Sequence, residues 1–190
     1  MKILAFAGSN SKQSINKKFV TSVSKYYKEA DDEVVILDLN DFEMPIFSVD
    51  REAETGIPEQ AYAFAKQIDW ADLILMSLSE NNGSYSAAYK NLMDWTSRIK
   101  GRKLFADKPI LLLGTSDGAR GAKSVLEAAE KRMPRDGADL LAVYSLPSFY
   151  ENFEEGKGVI DPSLRASLEA TVRKTKRTMS ERLNTTKEQQ

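Results

Sequence analysis

Two residue types are missing, since the 190 residues include no cysteine and no histidine. Without cysteine there is no disulfide, thiolate nucleophile or thiolate-bound metal. Without histidine, the chain lacks the side chain that most often serves as a general base or a metal ligand. We therefore expect no metal site. Any catalysis must use carboxylates and hydroxyls, or a cofactor must carry the chemistry.

An excess of charge of one sign is also missing. The chain has 27 Lys and Arg against 28 Asp and Glu, which gives a formal net charge of -1. A chain so balanced has no overall field that would attract nucleic acid or an anionic membrane. We expect neither as a partner.

Long apolar runs are absent as well. The run that follows Lys2 is only five residues long, whereas the core of a signal peptide has roughly 7–15. No stretch approaches the roughly 20 apolar residues that span a bilayer. We interpret the first run as a buried strand and expect a cytoplasmic protein.

Five short apolar runs are present, and their nearly continuous apolar character is typical of strands buried on both faces of a parallel sheet. They are Ile3–Ala7, Val34–Leu37, Leu73–Met76, Ile110–Leu113 and Leu140–Val143. Segments with apolar residues at helical spacing separate the runs, and another follows the last. This alternation predicts an α/β fold with a doubly wound, five-stranded parallel sheet of flavodoxin-like order 2-1-3-4-5.

The chain length fits a single domain with one hydrophobic core. No internal repeat and no linker between domains is visible in the sequence. We expect one domain over residues 1–183 and a frayed, polar C-terminal tail over residues 184–190.

The topology predicts where a ligand binds. In open parallel sheets, ligands bind at the carboxyl ends of the strands, here beside the switch point between the first and third strands. The loops that leave the first, third and fourth strands are rich in Gly, Ser, Thr and Asn, and they cover residues 8–16, 77–85 and 114–121. The sequence therefore predicts a site where these three loops meet.

The first of these loops runs into a predicted helix. A helix N-terminus can hold a phosphate because its backbone N–H groups are free and its dipole favours negative charge. Gly8 permits a tight turn, and side-chain donors follow at Ser9, Ser11, Ser14 and Asn16. The spacing matches neither an ATP-binding loop nor a Rossmann dinucleotide loop. The alternative is that Ser14 only caps the helix and the other residues fill a solvated loop.

Two motifs resemble the NADPH-dependent FMN reductase family, the flavodoxin-like group that includes chromate, quinone and azo-dye reductases. The family's G-S-x-R-x-x-S-x-N is matched by Gly8, Ser9, Ser14 and Asn16. Its P-E-Y-N-G-S-x-P-G-x-L-K-N-x-x-D-W aligns without a gap to residues 79–95, and eight residues match: Glu80, Asn82, Gly83, Ser84, Lys90, Asn91, Asp94 and Trp95. The resemblance spans about residues 2–145.

The resemblance implies an FMN-dependent oxidoreductase that passes hydride or electrons from NADPH or NADH to a small acceptor. Such acceptors are quinones, free flavin, azo compounds and metal oxyanions. No catalytic side chain is implied, because the flavin carries the chemistry. A homodimer or homotetramer is also implied.

The resemblance also implies which residues contact FMN. Ser9, Ser14 and Asn16 would hold the phosphate, residues 82–84 would follow the ribityl chain and ring edge, and residues 115–118 would border the ring on its other side. The full set expected at the cofactor is Ser9, Ser11, Ser14, Ile15, Asn16, Glu80, Asn81, Asn82, Gly83, Ser84, Thr115, Ser116, Asp117 and Gly118. For residues 90–95 we expect a structural role.

The motifs also depart from the family pattern. Ser11 stands where the family has arginine, although Lys12 can supply a point charge nearby. Ser79 and Asn81 replace proline and tyrosine, and the lost aromatic ring removes about 0.5–1.5 kcal/mol of stacking. Two alternatives therefore stay open: a flavodoxin-type electron carrier, which the net charge disfavours, and a module that has lost flavin and serves in binding.

Several further residues have two interpretations. Tyr85 either covers the flavin or packs its own loop, and Arg120 either meets a nicotinamide 2'-phosphate or is an exposed loop charge. The aromatic residues Phe149, Tyr150 and Phe153 are interpreted as a lid or a subunit contact. The physiological acceptor and the choice between NADPH and NADH stay open.

Overall fold

The computed structural model describes residues 1–188 and contains a five-stranded parallel sheet. Its strands are β1 (Lys2–Gly8), β2 (Glu33–Leu37), β3 (Leu73–Leu78), β4 (Lys108–Thr115) and β5 (Ala138–Leu146). They lie in the order β2-β1-β3-β4-β5, and every neighbouring pair is parallel. The predicted flavodoxin-like fold and its strand order are confirmed.

Helices connect the strands and follow the last one. They are α1 (Ile15–Ser24), α2 (Val49–Thr55), α3 (Glu59–Trp70), α4 (Ala87–Thr96), α5 (Lys123–Arg132), α6 (Phe149–Asn152) and α7 (Pro162–Glu188). A small antiparallel hairpin of β6 (Phe153–Glu154) and β7 (Gly158–Val159) lies between α6 and α7. The sequence patterns did not predict α2, α6 or the hairpin.

Part of the segment that we expected to be a polar C-terminal tail is helical. Residues 184–188 continue α7 as helix, while residues 189–190 lie outside the described part of the chain. The helix is anchored further back, where the buried side chains of Tyr27 and Thr175 are hydrogen-bonded. Burial raises the pKa of the Tyr27 hydroxyl to about 12.

Within residues 1–188, no helix has both the length and the apolar surface that a bilayer-spanning segment requires.

The core has one layer on each face of the sheet, because successive side chains of a strand point to opposite faces. Along β1, Ile3 and Ala5 belong to the core layer that includes side chains of α1 and α7, whereas Leu4 and Phe6 belong to the layer that includes side chains of α3, α4 and α5. Both sets are fully buried. The nearly continuous apolar runs of the sequence are thereby explained.

The loop after β4 passes very close to β5 at Gly121. The backbone of Gly121 has a φ of +57°, and a methyl group on its Cα would overlap the Ser145 hydroxyl and lie 3.0 Å from the carbonyl group of Leu146. The hydroxyl of Ser145 also donates to the carbonyl of Gly121. Only glycine fits here, and this contact holds the third loop against the sheet.

We expect Gly121→Ala to lower the free energy of unfolding by about 2–4 kcal/mol, because it adds both left-handed strain and overlap with the β5 backbone. Urea denaturation followed by circular dichroism measures this change. Gly118→Ala in the same loop is the matched control, since its methyl group would meet nothing within 4 Å, and it should change stability by less than about 0.5 kcal/mol. Equal stability of the two variants would contradict the proposed contact.

Candidate functional site

The three loops predicted to meet do so at the carboxyl edge of the sheet. They line one open depression of ≈ 260 Å³. Its lining residues are Ser9, Ser11, Gln13, Ser14, Ile15, Asn16, Ser79, Glu80, Thr115, Ser116, Asp117 and Tyr150. Nine of the predicted cofactor residues are therefore brought together, while residues 81–84 and Gly118 lie outside the lining.

A larger depression of ≈ 570 Å³ lies elsewhere, between Met1, the start of β2 and α7. It is at the amino edge of the sheet, whereas ligands of doubly wound sheets bind at the carboxyl edge. The smaller depression at the switch point is the candidate site.

The first loop is arranged to receive an anion. The hydroxyl oxygen of Ser14 accepts from the amide of Lys17 at 3.2 Å and so caps α1. The amides of Ile15 and Asn16, in the first helical turn, have no acceptor within the helix. Because Ser14 uses only its oxygen in the cap, its O–H can still donate. The capping role and the phosphate role are therefore compatible.

The two serines before the helix preform the loop in the same way. The hydroxyl oxygen of Ser9 accepts from the amide of Ser11 at 3.2 Å. The hydroxyl oxygen of Ser11 in turn accepts from the amide of Gln13, also at 3.2 Å. Both hydroxyl protons remain available to a ligand, so the loop offers three O–H donors beside the helix N-terminus.

The side chain of Asn16 has a role that differs from the expected phosphate contact. Its Nδ2 donates to the carbonyl oxygen of Thr115 at 3.0 Å. Its Oδ1 accepts from the hydroxyl of Ser77 at 2.7 Å and from the amide of Thr115 at 3.1 Å. The side chain is buried because α1 packs over β3 and β4. Asn16 thus ties the first loop to the third and offers a ligand only its backbone amide.

Thr115 is likewise used within the protein. It is buried, and its hydroxyl donates to the carbonyl of Leu146 at 2.8 Å. The hydroxyl of Ser116 donates to the carbonyl of Gly118 and accepts from the amide of Ala122, both at 3.2 Å. The side-chain oxygens of Thr115 and Ser116 therefore shape the third loop.

The second loop ends in a tight turn that stands at the rim. Asn81 and Ser84 exchange two backbone hydrogen bonds of 2.9 and 3.0 Å. Asn82 and Gly83 between them have φ values of 51° and 75°. This is the type I' turn that an Asn-Gly pair favours. All four residues are exposed, and the amides of the central pair take no part in the turn's own hydrogen bonds.

Glu80 joins the second loop to α5, the helix that begins where the third loop ends. Its Oε2 accepts from the amide of Val125 at 2.9 Å, in the first turn of α5. The residue at the N-cap of α5 is Ala122, whose side chain cannot cap a helix. The carboxylate of Glu80 supplies that cap and interacts favourably with the helix dipole.

Ser79 and Ser86 join the second loop to the first. Their hydroxyls donate to the carbonyl of Gly8 at 2.7 and 2.8 Å. Together with Asn16 and Glu80, these bonds connect every pair of the three loops. The depression is therefore a preformed frame, held by side chains. It is lined by backbone amides and hydroxyls together with the acidic residues Glu80 and Asp117.

Two of the matched residues in α4, the helix that follows the second loop, have structural contacts, in line with the role we expected. Asn91 accepts from the amide of Phe47 at 2.8 Å and donates to the carbonyls of Met44 and Pro45 at 3.1 Å. The indole of Trp95 donates to the carbonyl of Pro45 at 2.6 Å. These bonds hold the segment after β2 against α4.

Tyr85 and Arg120, each of which had two interpretations, have clear positions in the structure. The ring of Tyr85 packs 5.5 Å from that of Tyr89, and burial raises the pKa of the Tyr85 hydroxyl, with the negative charge of Asp136 adding to the shift. Tyr85 therefore packs its loop. Arg120 is exposed and donates to the hydroxyl of Ser124 at 2.8 Å, so it does not line the depression.

The aromatic cluster after β5 divides into two parts. Phe149 is buried and stacks on Phe153 with ring centroids 4.6 Å apart. Tyr150 is 74% exposed and lines the depression. The sequence analysis interpreted Tyr150 as part of a lid or a subunit contact and did not count it among the cofactor residues. Its position directly after a strand at the carboxyl edge is the signal that could have found it.

Residues 1–149 of the chain match the sequence model of the NADPH-dependent FMN reductase family. The chain belongs to this family. The resemblance seen in the motifs is thereby confirmed.

Relatives and solved structures agree with the family. The chain is 33% identical over 121 residues to a 2-hydroxy-1,4-benzoquinone reductase of Burkholderia sp, which covers 64% of this chain and 63% of the relative. It is 31% identical over 124 residues to an NADPH:quinone oxidoreductase of Arabidopsis thaliana, which covers 65% and 62%. The matches span less than two thirds of these relatives' length.

Among solved structures, the flavoenzyme NAD(P)H:(acceptor) oxidoreductase FerB from Paracoccus denitrificans has a TM-score of 0.70 and 25% identity, over 93% of this chain and 97% of that chain. An azoreductase from Bacillus anthracis str. Sterne has a TM-score of 0.62 at 22% identity, over 92% and 98%. At 22% identity, the similarity to the azoreductase shows only that the fold is shared.

The residues of the first loop fit the phosphate of FMN, the flavin that the family name contains. The amides of Ile15 and Asn16 and the hydroxyls of Ser9, Ser11 and Ser14 are all donors, which is the chemistry that an anion at a helix N-terminus requires. All five residues lie within the stretch of the first family motif, and three of them, Ser9, Ser14 and Asn16, match it. The first loop therefore offers the donors that this phosphate requires.

We expect Asn16→Ala to lower the free energy of unfolding of this family member by about 3 kcal/mol, because it leaves the buried amide of Thr115 and the hydroxyl of Ser77 without partners. Urea denaturation measures the loss. Asn10→Ala is the matched control in the same loop, since Asn10 is exposed and its loss should cost less than about 0.5 kcal/mol. If both variants unfold like the wild type, Asn16 does not tie the loops.

Proposed function

We propose that this chain is an FMN-dependent oxidoreductase that passes reducing equivalents from NADPH or NADH through bound FMN to a small acceptor. One observation carries the proposal: three loops, tied to one another in pairs, frame a depression of amide and hydroxyl donors at the switch point of the sheet. Family membership and the likeness to a solved flavoenzyme support it.

The chain's own groups would bind the cofactor at two places. At the phosphate, the first turn of α1 supplies amides and a favourable dipole. Positive charge nearby comes from Lys12, which is exposed in the same loop. Lys17 is committed elsewhere, because its ammonium group pairs with Asp38 and, with the amide of Asn40, lowers the pKa of that carboxyl.

At the ring, the turn over residues 81–84 supplies donors. The amides of Asn82 and Gly83 are exposed at the rim and free of the turn's own hydrogen bonds. Such preorganised donors stabilise negative charge that develops beside them. Bound FMN supplies the hydride and electron transfer, so the absence of histidine and cysteine from the chain does not hinder the proposed activity.

A quinone is the acceptor we propose first, because several relatives are named quinone reductases or quinone oxidoreductases.

We also propose that the chain forms a homodimer or homotetramer. Ile46 is 76% exposed and Val49, three positions further along the chain, is 68% exposed. Exposed apolar side chains in one segment support a subunit contact. A cytoplasmic location, where NADPH and NADH are available as reductants, belongs to the same proposal.

The purified protein should quench FMN fluorescence on titration, and its bound flavin should lose visible absorbance when NADPH is added without oxygen. Steady oxidation of NADPH should follow when a benzoquinone is present. Binding of FMN without NADPH turnover would favour a flavodoxin-type carrier instead. A protein that takes up no FMN would overturn the proposal and favour a binding module.

The sign of the charge at position 11 should control FMN affinity. We expect Ser11→Asp to weaken FMN binding about tenfold or more, because a carboxylate would face the phosphate. Ser11→Arg should tighten it by about tenfold through a charge-assisted contact. Fluorescence titration measures both dissociation constants.

Riboflavin is the matched control ligand, because it carries the same ring and ribityl chain without the phosphate. Its dissociation constant should change by less than about twofold in either variant, since only a neutral hydroxyl remains. If the variants shifted FMN and riboflavin equally, the first loop would not be the phosphate site.

A further inference from the structure

Tyr150 is anchored at the site through the backbone of its neighbours. The amide of Ser148 donates to the carbonyl of Gly118 at 3.0 Å, and the amide of Phe149 donates to the carbonyl of Ser116 at 2.9 Å. The short helix α6 therefore docks on the third loop. If the third loop moves, Tyr150 moves with it.

The neighbouring ring holds α6 in place. Phe149 is 4% exposed and stacks on Phe153, which in turn packs edge-on against Phe19 of α1 at 6.5 Å. Tyr150 meets Phe149 edge-on at 5.5 Å and otherwise faces outward, with 74% of its surface exposed. Exposed aromatic residues are common in proteins. Tyr150 differs from most of them because its backbone is anchored at the rim of the depression.

The depression that Tyr150 borders is the phosphate end of the site. Half of its lining comes from residues 9–16, including the first turn of α1, whereas the turn over residues 81–84 takes no part in it. The groups that face this space from the first loop are hydroxyls and amides. A phenolic hydroxyl is a donor of the same kind.

We propose that Tyr150 donates its hydroxyl to the phosphate of bound FMN and so completes the ring of donors begun by the first loop. The inference rests on the proposed function. It assigns a cofactor contact to a residue just beyond the stretch that the family model matches, residues 1–149. In this chain the contact offsets the charge that is missing at Ser11.

Tyr150→Phe tests the contact, because it removes only the hydroxyl. We expect the dissociation constant for FMN to rise about tenfold or more, as for the loss of one hydrogen bond to a charged group. That for riboflavin should stay within about twofold. The phosphorus NMR signal of bound FMN should also shift in the variant. Tyr62→Phe is the matched control, since Tyr62 is an exposed tyrosine of α3 and should leave both constants unchanged.

The outcomes separate this inference from the proposed function. If the wild type binds FMN and Tyr150→Phe binds it equally well, the contact is absent while the proposed function stands. If Tyr150→Phe weakens FMN and riboflavin alike, Tyr150 serves the ring or the fold, and the inference is again wrong. A wild type that binds no FMN overturns both.

Discussion

The carboxamide of Asn16 is the interaction on which the geometry of the site depends. One buried side chain satisfies the hydroxyl of Ser77 and both backbone groups of Thr115. Buried polar groups are costly when unpaired, so the N-terminus of α1 has one favourable position over β3 and β4. The hydroxyl of Ser79 on Gly8 and the carboxylate of Glu80 on α5 then fix the second loop. The donors of the first loop are thereby held in place before any ligand arrives.

This arrangement divides the polar residues of the loops into two groups. The side chains that tie the loops together, Asn16, Glu80 and Thr115, face the protein interior or another loop. The donors left for a ligand are backbone amides and the hydroxyl protons of Ser9, Ser11 and Ser14. Such groups can bind and orient a cofactor, and none of them is a strong acid or base. The site is therefore suited to a reaction in which the cofactor supplies the chemistry.

The sequence predicted the sheet well because strands buried on both faces leave a strong signal of continuous apolar runs. The place of the site followed from topology alone. The roles of Asn16 and Glu80 could not be predicted, since they depend on how α1 and α5 pack against other loops. Helix α6 has only four residues, too few to show a helical period. Residues 184–188 are polar and show no apolar stripe, and the helix that contains them is anchored far earlier, at Thr175.

The departures from the family motif act at different places, and they do not have equal weight. Proline at position 79 would have no hydroxyl, whereas Ser79 donates to Gly8 and joins two loops, so this change exchanges backbone stiffness for a hydrogen bond. Asn81 keeps both backbone bonds of the type I' turn, and only the ring of the family's tyrosine is lost there. Ser11 keeps the loop folded through Gln13 but brings no charge. The frame is therefore intact, and any weakening of flavin binding must arise at the two ends of the ligand, from the missing ring and the missing charge.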